Sequence, residues 1–147
     1  MSYSPNFRGS TGNASKQLQS TYVNALGGTI SKGTVLSINT SGQIFPIDVT
    51  SEVSVGALVG IANQDIPAAA TGLVVSGGRL TNVTTSFSIG DAVYVGSDGL
   101  LTNVKPDLGS AGFVSGDFVI FIGVVVKNEF NPALQDIQLM ISVVGQL

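Results

Sequence analysis

With 147 residues, no cysteine and no histidine, the chain reads as one domain that needs no disulfide and has no zinc site, cysteine nucleophile or Ser-His-Asp triad. Charged residues are 10% of it, against about 25% for an average soluble domain. Apolar residues are 44%, so part of the surface is expected to lie against copies of the chain or a larger scaffold, the alternative being a monomer with a Ser/Thr/Asn-rich surface.

Arg8, Lys16 and Lys32 give residues 1–47 a charge of +3, while Arg79, Lys105 and Lys127 against nine acids leave the remainder at −6. That distribution lacks the dense basic patch of a nucleic-acid binder. The longest apolar run, Phe118 to Val126, is too short and too β-branched for a membrane helix. The opening MSYSPNFRGSTGN carries no apolar core of a signal peptide.

Residues 1–26 are polar and rich in Ser, Thr, Asn and Gln, with Pro5, Gly9 and Gly12 discouraging regular structure. Ala14, Leu18 and Tyr22 have helical spacing, but an extended arm is the preferred reading, with a strand over Gln17–Ala25. Tyr3, Phe7, Arg8 and Lys16 would be its contacts with a partner, the two rings needing a pocket to fill.

From Gly27 to Leu147 the texture is that of a single β domain, an all-β barrel or sandwich. Strands are expected near 34–38, 43–48, 55–61, 72–76, 79–85, 92–96, 100–104, 117–126 and 137–144. SGGRL (76–80) and GSDGLL (96–101) read as turns, and PAAA (67–70) as a single helical turn. Arg79, inside the first of these turns, reads as a solvated turn residue. The last two strands are apolar nearly throughout, without the alternation that leaves one face wet. A neighbouring subunit is therefore the expected cover, with Phe118, Ile120, Ile122, Val124, Ile137, Leu139 and Ile141 packing an oligomer.

One pattern is written twice. ISKGTVLSINTSGQI (30–44) and SIGDAVYVGSDGLL (88–101) share a Gly, a β-run, a polar turn and a second Gly nine residues on. Each precedes an aliphatic run containing a further glycine, Gly60 and Gly123, and then a Pro-Ala pair. The domain thus divides into half-repeats, about 27–80 and 81–147, whose sheets can wrap one pseudo-twofold core and hide their edges.

Chemistry is sparse. Asp91 and Asp117, each after a glycine, have the composition of a paired-carboxylate site, but Asp at a strand entry more often bonds its own backbone. Asp91, Asp98, Asp107 and Asp117 lack the alternating spacing of a calcium loop. No phosphate-binding or metalloprotease motif is present.

The segments GIANQDIPAAATGLVVSGGRL (60–80), SIGDAVYVGSDGLLTNV (88–104) and FIGVVVKN (121–128) resemble those of small phage capsid decoration, or cement, proteins. The resemblance covers about 100 residues, rests on glycine and aliphatic spacing, and does not extend to the polar arm. It implies a β-barrel that sits on the outer surface of an icosahedral virion shell, made in the host cytoplasm, commonly as a homotrimer bound to the major capsid protein. It implies no catalysis and no cofactor, and neither nucleic acid nor membrane as partner. The alternative is a fibre or tail-associated receptor-binding module that uses loops 62–70 and 105–116, where Phe113 is the one ring available.

Overall fold

The computed structural model describes residues 17–147. The strands are β1 (Gln17–Asn24), β2 (Val35–Ile38), β3 (Gln43–Pro46), β4 (Leu58–Ala62), β5 (Thr71–Val83), β6 (Ala92–Val95), β7 (Leu101–Thr102), β8 (Phe118–Lys127) and β9 (Gln135–Gln146). Among the described residues one short helix, α1 (Glu52–Gly56), precedes β4. The sheet order is β1-β3-β2-β4-β5-β9-β8-β6-β7. Because β1 also pairs with β5, the first five strands close into a barrel and the remaining four extend from β5.

Strand order makes the half-repeat visible. On either side of the central β5–β9 pair come a crossing strand and a hairpin: β4 with β2–β3, and β8 with β6–β7. Register repeats as well. Leu36 faces Gly60 and Val93 faces Gly123, with a bulge directly after each pair. The turn glycines adopt matching left-handed conformations, φ 91° and 78° at Gly33 and Gly42, 94° and 82° at Gly90 and Gly99. Gly60 and Gly123 serve a different need. A Cβ would lie 2.5 Å from the Val75 carbonyl oxygen at the first and 2.0 Å from that of Gln138 at the second. Only a residue without a side chain lets these backbones approach so closely.

Two apolar clusters follow from this arrangement. One lies within the first half: Ile30, Leu36, Ile44, Ala62, Ile66 and Val74. The larger one joins the halves, bringing Val35, Ile61, Val75 and Leu80 against Val93, Ile120, Ile122, Ile137 and Leu139.

Four local expectations are corrected. Among the described residues the sheet already includes β1 from Gln17, the strand expected over Gln17–Ala25, so the arm boundary at 26 falls inside the fold. Asn24 at the end of β1 is buried, with its Nδ2 donating to the carbonyls of Gly28 and Ile66, both at 2.9 Å. SGGRL is no turn, because Gly77 and Gly78 continue β5, paired with Leu18 and Gln17 of β1 and, at Gly78, with Leu139 of β9, although Gly78 is left-handed at φ 79°. The expected strand 55–61 splits into α1 and β4. Ser51 caps the helix, its side chain accepting from the Ser54 N–H, and this local bond outweighs the β preference of Val53 and Val55. Pro67–Ala70 forms a turn without helix, closed by the Ala70 N–H to the Pro67 carbonyl at 3.0 Å.

Gly60→Ala and Gly123→Ala should each lower unfolding free energy by about 3 kcal/mol, the upper range for forcing atoms into a packed site. Gly145→Ala, where no atom lies within 4 Å of the added carbon, should change it by less than about 0.5 kcal/mol. Urea unfolding of the three variants measures this, and equal effects at all positions would contradict the close-approach role.

Candidate interaction surface

Both faces of β8, and of β9 as far as Leu139, are covered mostly from within the chain. Ile120, Ile122, Ile137 and Leu139 are buried in the shared core, so they are unavailable to another subunit, and the oligomer-packing set is corrected accordingly. Phe118 and Ile141 are half-buried and pack against that core. Val124 is half-buried. Phe121 meets Tyr94 edge to face, ring centroids 5.6 Å apart, so hairpin β6–β7 supplies cover that had been assigned to a neighbour.

Apolar surface does remain, further along β9. Beyond Leu139 the strand leaves β5, and among the described residues its edge opposite β8 has no strand partner. Met140, Val143 and Val144 on this stretch are 53%, 50% and 57% exposed. Leu18 adds to them. Gly78 pairs with both Gln17 and Leu139, and next to it the exposed Leu18 side chain leans over its β5 partner Gly77. Tyr3, Phe7, Arg8 and Lys16 lie outside the described residues. The described chain starts at Gln17, one strand away from Leu139 across β5.

A polar cleft opens elsewhere, between β5 and the β8–β9 loop. It encloses about 370 Å³ and is lined by Arg79, Thr81, Asn82, Asn128, Glu129, Phe130 and Asp136. The buried Asp136 organises its floor. Its carboxylate accepts from the Asn82 N–H at 3.1 Å and from Asn128 Nδ2 at 3.0 Å, and Arg79 Nη1 lies 3.4 Å away. Arg79 is thus an ion-pair partner within a strand, correcting its reading as a solvated turn residue. Asn128 in turn fixes the loop, accepting from the N–H groups of Phe130 and Asn131 at 2.9 and 2.8 Å. Lys32 reaches the rim from behind, donating through Nζ to the Thr81 carbonyl at 2.8 Å. Burial lowers the Lys32 pKa from its ordinary value, against the pull of Asp136 and Asp65. The cleft was not read from the sequence; its one local sign is the NEFN run (128–131), whose first Asn is suited to closing a turn on its own backbone.

The loops named for receptor contact offer no ring, since Phe113 is 2% exposed and part of the core. The glycine-linked aspartates have turn roles. Asp91 accepts from the Ser88 N–H and Asp117 from the Val114 N–H, each three residues earlier and each at 2.9 Å. Asp91 also accepts from Asn103 Nδ2, and this bond, followed by that from Ser88, holds its carboxyl below the ordinary value. Asp48 is lowered similarly by the hydroxyl and then the N–H of Thr50. Among the described residues no group of three or more acidic side chains gathers as a metal site would require. No protein-family model and no curated protein matches this chain.

Two outcomes are expected. Asp136→Ala should cost about 3 kcal/mol, since it orphans a buried N–H, an amide and a guanidinium together; chemical denaturation checks this against Glu129→Ala, which should be nearly neutral. Asp48 and Asp91 have folded pKa values below their unfolded ones, so their stabilisation is present above about pH 4 and is lost as pH falls through the folded values. The acid limb of the stability profile should therefore be shallower in Asp91→Asn than in the parent.

Proposed function

We propose that this protein is a virion structural protein, a decoration or cement protein that binds the outside of an assembled phage shell and stabilises it. The observation that carries the reading is the apolar end of β9, where Met140, Val143 and Val144 stand exposed on an edge that no strand of the described chain covers. A water-exposed strand edge with apolar side chains favours association, and protein partners are its ordinary cover. The low charge and the resemblance in glycine and aliphatic spacing direct the reading toward a shell. Self-assembly, as a homotrimer, would use this edge, and the major capsid protein would be the partner of Tyr3, Phe7, Arg8 and Lys16.

Stabilisation would be additive. Interfaces of the standard size, about 1,600 Å² each, repeated over many equivalent junctions, give large avidity from modest individual affinities. The polar segment before Gln17 would contribute its two rings and two cations to the contact with the shell. No catalytic step and no cofactor enter this reading.

Removing residues 1–16 should leave the fold and the oligomer mass intact while abolishing co-sedimentation with stripped particles. Removing residues 1–24 should instead destabilise the domain, because β1 and Asn24 go with them. Met140→Lys with Val144→Lys should lower the solution mass of the oligomer, read by light scattering. A parent chain that stays monomeric at high concentration and does not sediment with particles would overturn the assignment.

A further inference from the structure

The geometry points to a second binding site, separate from the β9 edge: the cleft between β5 and the β8–β9 loop, which we propose takes a neutral pyranose sugar of a surface glycan. Phe130 is 97% exposed, the most open of the large apolar side chains among the described residues. Leaving a phenyl ring wholly in water forgoes roughly 2 kcal/mol of burial. The loop nevertheless holds it there, because Asn128 takes two loop N–H groups and is itself fixed by Asp136 and by Asn82 Oδ1 at 2.8 Å. Asn82 meets this network with a left-handed backbone, φ 59°, a conformation that needs surrounding support. The backbone that carries the ring is held in place.

What surrounds it selects the ligand class. Among the described residues, the guanidinium of Arg79 makes its one side-chain bond through Nη1, while Asn82 Nδ2 and the Glu129 carboxylate have no hydrogen-bond partner. These are donors and an acceptor beside an aromatic face. Of the residues lining the cleft, Arg79 is the one cation against Asp136 and Glu129, so the site carries a net charge of −1, which disfavours an acidic ligand. A volume of about 370 Å³ falls at the small end of ligand clefts, the size for one or two sugar rings. A pyranose offers the complement, an apolar C–H face for the phenyl ring and vicinal hydroxyls for the amide, guanidinium and carboxylate.

The test uses the full chain with neutral disaccharides (lactose, maltose, chitobiose), a wider array of neutral glycans, and 3′-sialyllactose as the acidic arm. Saturation-transfer NMR should show ring C–H protons of at least one neutral sugar in contact with the protein. Phe130→Ala should weaken that binding at least tenfold with unchanged melting temperature, and Glu129→Gln should weaken it severalfold. Absence of neutral-sugar binding, binding indifferent to Phe130, or a preference for 3′-sialyllactose would each overturn the site. If Phe130→Ala instead abolishes co-sedimentation with particles and no sugar binds, the ring is a protein anchor and the sugar site is refuted. The shell-binding role is judged separately, by the parent chain's sedimentation.

Discussion

Two close backbone contacts, at Gly60 and Gly123, set the architecture. At each, a crossing strand must satisfy a hairpin on one side and a long strand on the other, and the hydrogen-bond ladder bulges on the hairpin side just there. A bulge bends the strand and sharpens its twist, which a flat ladder would not supply. The bend brings the glycine Cα against the carbonyl of Val75 or Gln138, each fifteen residues further on, leaving no room for a methyl group. With both bends in place, the hairpins fold over the β5–β9 pair and enclose the shared core of Val35, Val75, Val93 and Ile122.

That constraint explains which parts of the fold were legible in the sequence. Gly33, Gly42, Gly90 and Gly99 mark turns whose backbone only glycine adopts easily, so their spacing announced the repeated hairpin. Gly60 and Gly123 could be aligned for another reason, a close backbone approach that admits no side chain. Gly77-Gly78 looked identical in kind, and Gly78 does take φ 79°, yet both residues continue a strand, because they have partners in β1 and, at Gly78, β9, and local composition does not report partners. The helix α1 was hidden by its own valines, which read as strand until Ser51 and Ser54 are seen to bond.

The interaction surfaces were less legible still. Apolar runs signalled cover on both faces, which holds for β8 and for β9 as far as Leu139 but not for the end of β9, and part of that cover is Tyr94, more than twenty residues away in the same chain. Exposure moved from the middle of β9 to its end, where β5 turns to β4 and β1 for partners. The Asp136 network draws on residues between 79 and 136, each ordinary in its own neighbourhood. Nothing in NEFNP states that its Phe faces water.

The division of the apolar residues into two clusters bears on how the molecule comes into being. Once residue 83 has left the ribosome, β1 to β5 hold every member of the smaller cluster, so the barrel has what it needs to close on the nascent chain. The larger cluster has no such autonomy. Val75, Leu80 and Val83 wait for Ile137 and Leu139, more than fifty residues of synthesis later, and during that interval they stand uncovered on a barrel with an open flank. Translation speed through the second half thus governs how long a sticky intermediate persists, and a pause between β5 and β8 would be the point of greatest exposure to aggregation.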